Sequence, residues 1–241
     1  MSKILTEDRQ IARIEIDGAG PLSSDLSRQL DGALDRAEDL GGAAILFIYV
    51  QGHQNAASLR TWPGQTDIQL VTKWERALRR IERFGSPTVV LAERACSAIA
   101  LELLLVADRR LATRDFSMQC AIHGSNLWPG MALYRLSRQI GESRARKFLL
   151  DSSRILPEAA LELNVIDEVI DHVVIDHASQ SELVMRYAPP EDFAVRRRLM
   201  QDSLFTSFDD ALGAHLAACD RTLRRPSSNK LVLAANGTSS A

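Results

Sequence analysis

The sequence predicts an α/β fold with a parallel sheet, and three observations near its start carry this prediction. Apolar and charged residues alternate over residues 11–16, which is typical of a half-buried strand. A helical pattern with one apolar stripe follows over residues 24–39. Residues 43–50 are then continuously apolar, as in a strand that is covered on both faces. A strand, a helix and a second strand in this order form the repeating unit of parallel sheets flanked by helices.

The first helix has recognisable signals at both ends. Ser23 or Ser24 can cap it, because a serine oxygen accepts a hydrogen bond from the free backbone N–H groups of the first turn. Gly41 and Gly42 end it. The apolar stripe between them consists of Leu26, Leu30, Ala33, Leu34 and Ala37.

The alternation of strands and helices continues after a polar connection at residues 51–67. Long connections of this kind inside compact domains are often functional loops. Helical periodicity returns over residues 68–84, and residues 88–92 predict another buried strand. The later elements are predicted as a loop (116–130), three helices (131–140, 143–150 and 157–163), a short strand (165–170) and further helices from residue 189.

Composition excludes several classes of function. The chain has 241 residues, of which 46% are hydrophobic, with 29 Lys plus Arg against 31 Asp plus Glu. Because binding to a phosphate backbone needs an excess of positive charge, we expect no nucleic-acid partner. The first residues turn charged before any apolar stretch long enough for a signal peptide, and no run of about 18 apolar residues appears. We therefore expect a cytoplasmic protein without membrane contact. Three cysteines without a C-x-x-C spacing predict buried thiols and no metal site.

Glu102 is the most informative single residue. It is the one carboxylate inside residues 96–106, the most apolar stretch of the chain. Buried acids are normally paired, so one interpretation is a salt bridge to Arg109 or Arg110. The alternative is a catalytic acid or base whose pKa is raised by an apolar wall.

The order of these features resembles the crotonase superfamily, the enoyl-CoA hydratases and isomerases, from residue 13 to about residue 174. Residues 102–112 resemble the family's C-E-L-A-L-A-C-D-I-R-I-A segment, and residues 128–130 fall where the family has I-P-G. Residues 87–92 resemble its P-V-I-A-A strand. The other matching segments are 22–24, 43–50, 141–145, 155–160 and 165–170.

The resemblance implies a fold and an oligomeric state. The fold is a crotonase-type spiral of ββα units over residues 1–175, followed by a C-terminal helical trimerisation region at 176–225 and a flexible tail at 226–241. A homotrimer or a hexamer is implied. The ligand is an acyl-CoA or acyl-carrier thioester, and no cofactor is expected apart from the coenzyme A of the substrate.

The resemblance also implies roles for individual residues. Glu102 matches the first catalytic glutamate, and His123 is the nearest partner for it in the sequence, unless it is an ordinary loop histidine. Backbone N–H groups of Ile99 and Ser58 would form the oxyanion hole, which holds the thioester oxygen as an enolate forms. Ile99 replaces a family glycine, so its N–H can serve only if the local backbone does not require glycine.

Further residues are placed in the substrate pocket. Ile122 occupies the position of the second family glutamate, so addition of water by two carboxylates is doubtful, whereas dehydration or isomerisation needs one. Trp128 and Cys120 would line the same pocket. Arginines at 60, 109 and 135 are either contacts for the CoA phosphates or solvated surface charges.

A site with one of the two family glutamates resembles one branch of the superfamily in particular. This branch is the DpgB-type hydratase-like enzymes of 3,5-dihydroxyphenylglycine biosynthesis. These assist a type III polyketide synthase that makes dihydroxyphenylacetyl-CoA. The expected reaction is then loss of water from a cyclised poly-β-ketoacyl intermediate, in antibiotic-type secondary metabolism. The alternative is a catalytically inactive crotonase-fold subunit that supports a biosynthetic complex.

Overall fold

The structure is a computed structural model that describes residues 10–40, 44–59, 61–119, 122–123, 126–151, 154–171, 177–188 and 192–224. The chain forms two compact units, residues 1–194 and residues 195–241. The strands of the described residues are β1 (Ile11–Asp17), β2 (Ile45–Gln51), β3 (Thr88–Glu93), β4 (Ala95–Cys96), β5 (Arg109–Thr113), β6 (Ser117–Gln119), β7 (Ile122–His123), β8 (Asn126–Leu127), β9 (Arg154–Ile155) and β10 (Glu168–Ile170).

The helices alternate with these strands. They are α1 (Ser24–Asp39), α2 (Ile68–Glu82), α3 (Ile99–Leu104), α4 (Met131–Ile140), α5 (Glu142–Asp151), α6 (Pro157–Glu162), α7 (His177–Tyr187), α8 (Phe193–Ser203) and α9 (Phe208–Arg224). A short 3-10 helix covers Ala56–Ser58.

The main sheet has five strands in the order β1-β2-β3-β5-β10, and every neighbouring pair is parallel. This arrangement confirms the predicted α/β class. A second sheet has the order β4-β6-β9, and β7 pairs with β8 in an antiparallel hairpin. Three of these short strands, β6, β7 and β8, lie in the segment predicted as a loop. With two or three residues each, they are too short to produce a periodic pattern in the sequence.

Strand β2, which lies between β1 and β3, is buried on both faces, as its continuous apolar run predicted. Leu46, Ile48 and Val50 belong to one hydrophobic cluster, which also contains the apolar stripe of α1 and residues of α2 and α3. Ile45 and Phe47 belong to a second cluster on the opposite face, together with Val184 of α7. Helices therefore cover both sides of the sheet in the first unit.

The helix boundaries follow from local capping. The Ser23 Oγ accepts a hydrogen bond from the Leu26 N–H at 3.1 Å and starts α1. The Asp67 Oδ1 does the same for the Leu70 N–H at 2.8 Å and starts α2. Helix α4 has the predicted bounds, and Gly141 ends it with a φ of +83°, a conformation that favours glycine.

In the second unit, α9 has no buried residue, and several large apolar side chains are exposed. They include Phe208, Leu216 and Leu223. The predicted tail at 226–241 lies outside the described residues. In the described part of the chain, every helix falls short of the length and apolarity that crossing a membrane requires.

Candidate functional site

The Glu102 carboxyl group lies in the apolar interior of the first unit. Helix α3 carries it, and all six residues of this helix are buried. Glu102 itself is 2% exposed. A carboxylate in such surroundings needs hydrogen-bond donors to offset its lost hydration.

Two tryptophan side chains supply these donors. Trp62 Nε1–H donates to Glu102 Oε1 at 3.0 Å, and Trp74 Nε1–H donates to Oε2 at 2.5 Å. The two indole rings meet edge to face, with centroids 5.5 Å apart and an interplanar angle of 66°. Each tryptophan is 2% exposed, so both carboxylate oxygens are enclosed.

The salt bridge considered for Glu102 is therefore wrong. Arg109 pairs with Glu168 at 2.8 Å, and Arg110 pairs with Asp167 at 2.5 Å. Both arginines lie on β5, where they fasten β10 and the turn before it to the sheet. The partners of Glu102 are neutral donors, which leave its negative charge uncompensated when it ionises.

Burial raises the pKa of Glu102 from its ordinary value of 4.5 to about 7. The hydrogen bonds from Trp74 and Trp62 oppose this rise, because they stabilise the ionised form. Among more distant charges, Glu75 raises the pKa further and Arg135 lowers it. A carboxyl group with a pKa close to neutrality can both accept and return a proton at physiological pH.

A third tryptophan approaches the same carboxylate from the start of α4. A methyl group added at Gly130 would lie 2.5 Å from Trp128 Nε1 and 3.5 Å from Glu102 Oε1. Gly130 thus lets the backbone pass between the Trp128 indole and Glu102 Oε1. Trp128 is half-buried, and Gly130 separates its indole from Glu102 Oε1.

A buried ion cluster connects the two helices beside Glu102. Arg135 on α4 donates to Glu82 at 2.7 Å and to Glu75 at 2.9 Å, both on α2. Arg135 is 7% exposed. Arg135 was expected to be either a phosphate contact or a solvated charge. Its burial between two glutamates agrees with neither interpretation. Arg60 lies outside the described residues.

The two segments expected to form the oxyanion hole lie at the start of α3 and in the 3-10 helix. Ile99 is the first residue of α3, and Ala98 before it has φ −65° and ψ −4°. Among the described non-glycine residues, positive φ occurs at Arg94 and Asn164, so Ile99 is compatible with its backbone. Ser58 is the last residue of the 3-10 helix, and its side chain lies outside the described part.

The side chains of three further expected site residues lie outside the described part of the chain. Ile122 and His123 form β7 and pair with Leu127 and Asn126, but their side chains are not among those described. Cys120 lies outside the described residues. Of the other thiols, Cys96 is buried as predicted, whereas Cys219 is exposed.

Sequence reasoning missed both tryptophan partners of Glu102. Trp74 lies within the helical periodicity of residues 68–84, and Trp62 lies in the polar connection at residues 51–67. One signal was present, because a buried tryptophan usually needs an acceptor for its N–H and Glu102 is the one carboxylate in the most apolar stretch. The Glu75, Glu82 and Arg135 cluster had no comparable signal.

Comparison with known proteins agrees with this architecture. No family model matches the sequence. A protein named enoyl-CoA hydratase from Amycolatopsis orientalis is 40% identical over 212 residues, which cover 88% of this chain and 95% of that protein.

Solved structures share the fold. An enoyl-CoA hydratase from Shewanella pealeana superposes with a TM-score of 0.71 at 18% identity, over 95% of this chain and 91% of that one. One from Mycobacterium smegmatis gives 0.70 at 18% identity, over 95% and 93%. At this identity the structures show the fold alone, and the Amycolatopsis protein shows the family. The chain belongs to the enoyl-CoA hydratase/isomerase, or crotonase, superfamily.

Proposed function

We propose that this protein is an acyl-CoA dehydratase or isomerase in which Glu102 moves a proton at the carbon next to the thioester carbonyl. The observation that carries the proposal is a buried carboxyl group with a pKa of about 7 and no cation bonded to it. A group of this kind can remove an α-hydrogen in its ionised form and return it in its neutral form. Membership of the superfamily supports a CoA thioester as the ligand.

Backbone N–H groups at Ile99 and near Ser58 are the proposed oxyanion donors. Ile99 begins a helix, where N–H groups have no acceptor within the helix itself. Enolate formation places negative charge on the thioester oxygen, and one donor at that point is typically worth ~10²–10³ in rate. His123 remains the proposed second proton carrier, and Ile122, Trp128 and Cys120 the proposed pocket residues.

The finer proposal concerns the substrate and its setting. With isoleucine at the second glutamate position, one carboxylate suits loss of water from an intermediate that becomes aromatic, because aromatisation supplies the driving force. We place the protein in secondary metabolism beside a polyketide synthase that forms dihydroxyphenylacetyl-CoA. A cytoplasmic homotrimer or hexamer is part of the same proposal.

The test is exchange of the α-hydrogens of phenylacetyl-CoA with deuterium from solvent, followed by mass spectrometry. We expect exchange by the wild-type protein and a loss of about 10²-fold or more in Glu102→Gln, since that is the usual contribution of an acid or base. Glu158→Gln, at an exposed glutamate in the first turn of α6, is the matched control and should exchange normally. Equal rates in wild type and Glu102→Gln would refute the proposed role of Glu102.

A second candidate function, a supporting subunit without chemistry, is favoured by the enclosure of both Glu102 oxygens. Under this alternative the indole–carboxylate contacts serve stability alone. Addition of the protein would then raise the yield of a polyketide synthase equally with wild type and with a folded Glu102→Gln variant. A yield that depends on Glu102 would exclude the alternative.

A further inference from the structure

Helix α4 contacts both of the helices that build the Glu102 site. Helix α3 carries Glu102, and α2 carries Trp74, whose N–H donates to Glu102 Oε2 at 2.5 Å. Helix α4 starts directly after Gly130, where an added methyl group would lie 3.5 Å from Glu102 Oε1. The contacts that α4 makes with α2 and α3 therefore bear on the distance between this donor and its acceptor.

The contact between α4 and α3 combines apolar packing with a hydrogen bond. Leu136 of α4 is completely buried in the main hydrophobic cluster, which also contains the apolar residues of α3. Gln139, three residues further along α4, donates its side-chain N–H to the carbonyl of Leu105 at 2.6 Å. Leu105 ends α3, and carbonyls at the end of a helix have no donor within that helix. Helix α4 is thus attached to the helix that carries the acid.

The contact between α4 and α2 is ionic. Arg135 donates from Nε to Glu82 at 2.7 Å and from Nη1 to Glu75 at 2.9 Å. The two glutamates are seven positions apart on α2, so they lie on one face of the helix about two turns from each other. Glu82 also accepts from Arg79 at 2.8 Å, so two guanidinium groups stand against two carboxylates. Arg135 therefore holds α2 at two points, and one of them is the residue next to Trp74.

Burial makes these ionic contacts resistant to movement. The Arg135 side chain is 7% exposed, and the side chains of Glu75 and Glu82 are 20% and 11% exposed. Separation of a buried pair leaves uncompensated charges in apolar surroundings, which is costly. The planar guanidinium group also fixes the directions of its N–H groups, so it can bond two carboxylates at once only in a narrow range of positions. A movement of α2 relative to α4 would break these contacts.

The hydrogen bond from Trp74 to Glu102 is sensitive to such a movement. N–H···O hydrogen bonds have donor–acceptor distances of up to about 3.2 Å. A shift of α2 away from α3 by ~1 Å would take the 2.5 Å contact beyond this range. The ionised carboxylate would then lose a donor in apolar surroundings, and Glu102 would hold its proton more strongly.

We propose that Arg135 is a positioning residue for Glu102: through Glu75 and Glu82 it holds α2 at the distance from α3 at which the Trp74 N–H reaches Glu102 Oε2. Arg135 acts through Trp74 and has no contact with the thioester. Its effect is to keep a larger share of Glu102 ionised at neutral pH, and the ionised form is the one that removes an α-hydrogen. The inference rests on the proposed function.

The test compares Arg135→Met and Arg135→Lys with Arg138→Met in the full chain. Arg138 lies exposed on the same helix, so Arg138→Met is the matched control for the loss of a positive charge. Deuterium exchange into phenylacetyl-CoA is measured against pH, and the midpoint of the kcat/KM profile reports Glu102 in the free enzyme. Among the described residues, the charged groups that act most strongly on Glu102 are Glu75 of α2 and Arg135 of α4.

A measurement without substrate accompanies the kinetics. Urea unfolding is followed against pH for each Arg135 variant and for the same variant with Glu102→Gln added. The difference between the two free energies of unfolding stops changing above the pKa of Glu102 in the folded variant. This pH reports the positioning of Glu102 whether or not Glu102 acts on a thioester.

Both substitutions of Arg135 should raise the Glu102 midpoint in both measurements. For Arg135→Met we expect a rise of ~1–2 pH units, which is the effect of losing one hydrogen bond to a charged group. Arg135→Lys keeps the positive charge but lacks the planar set of N–H groups that bonds two carboxylates, so we expect roughly half that rise. Arg138→Met should leave the midpoint unchanged, because solvent and salt screen an exposed charge.

Three results would overturn the inference. A wild-type midpoint in Arg135→Lys would mean that Arg135 acts on Glu102 by its charge alone. A wild-type midpoint in a folded Arg135→Met would mean that Arg135 serves stability alone, and an equal rise in Arg138→Met would mean that any positive charge on α4 has the same effect. If Arg135→Met does not fold, Arg135→Lys decides.

Failure of the proposed function gives a different result. Exchange that persists in Glu102→Gln, or its absence in wild type, refutes the proposed role of Glu102 in the reaction. The unfolding measurements would still show whether Arg135 positions Glu102, because they need no substrate.

Discussion

The pH dependence of stability offers a test of the Glu102 environment that needs no substrate. The pKa of Glu102 is raised to about 7 in the folded protein, against an ordinary value of 4.5. Each pH unit between the two values is worth ~1.4 kcal/mol. Ionised Glu102 therefore costs the folded state about 3 kcal/mol at pH values above 7, relative to pH values below 4.5.

The sign follows from proton counts. Between pH 4.5 and 7 the folded chain holds more of the Glu102 proton than the unfolded chain does, so the contribution of this group to stability falls as pH rises. Above the folded pKa the loss is complete and stays constant. Glu102→Gln removes this titration. Its amide also changes the bonds to the indoles, but that effect is the same at every pH.

The assay is urea unfolding of wild type, Glu102→Gln and Glu158→Gln at pH values from 4.5 to 8.5. Between pH 4.5 and 8, the free energy of unfolding of Glu102→Gln should rise by about 3 kcal/mol relative to that of wild type. The curve of Glu158→Gln should stay nearly parallel to that of wild type. A Glu102→Gln curve parallel to wild type would show that the pKa of Glu102 is not raised, and the reasoning about its burial would fail.

Two further substitutions test the surroundings of the site. Gly130→Ala should destabilise the fold by ~1–3 kcal/mol, because the new methyl group collides with Trp128. Gly32→Ala in α1 is the control, since its methyl group meets no close atom and should not destabilise the fold. The measurement is the midpoint of thermal unfolding, and equal midpoints for wild type and Gly130→Ala would contradict the close contact with Trp128. Arg135→Met should cost ~3–5 kcal/mol in urea unfolding, because the buried Glu82 and the partly buried Glu75 lose their cation. Arg114→Met, at an exposed pair, is its control, and similar losses in both would contradict the role of burial.

The fold was predictable because its main signals are local. The apolar run of β2 and the capped, periodic helices α1 and α2 are determined within a few residues of sequence. Helix α4 matched its predicted bounds for the same reason. The short strand β6 gave no signal of its own, because its pairing with β4 and β9 depends on segments distant in the chain.

The site was predictable only in part. Glu102 could be identified because a single acid in an apolar stretch is anomalous wherever it occurs. Its partners could not, since Trp62 lies 40 positions and Trp74 28 positions away in the sequence. No spacing rule connects residues at such separations, and the contact exists only after α2 and the connection before it pack around α3.

The most direct test of the central claim is a crystal structure with a bound, non-reactive thioester analogue of phenylacetyl-CoA. The account predicts its α-carbon about 3.5 Å from a carboxylate oxygen of Glu102 and its carbonyl oxygen about 3 Å from the Ile99 N–H. A thioester whose α-carbon lies far from Glu102 would contradict the account.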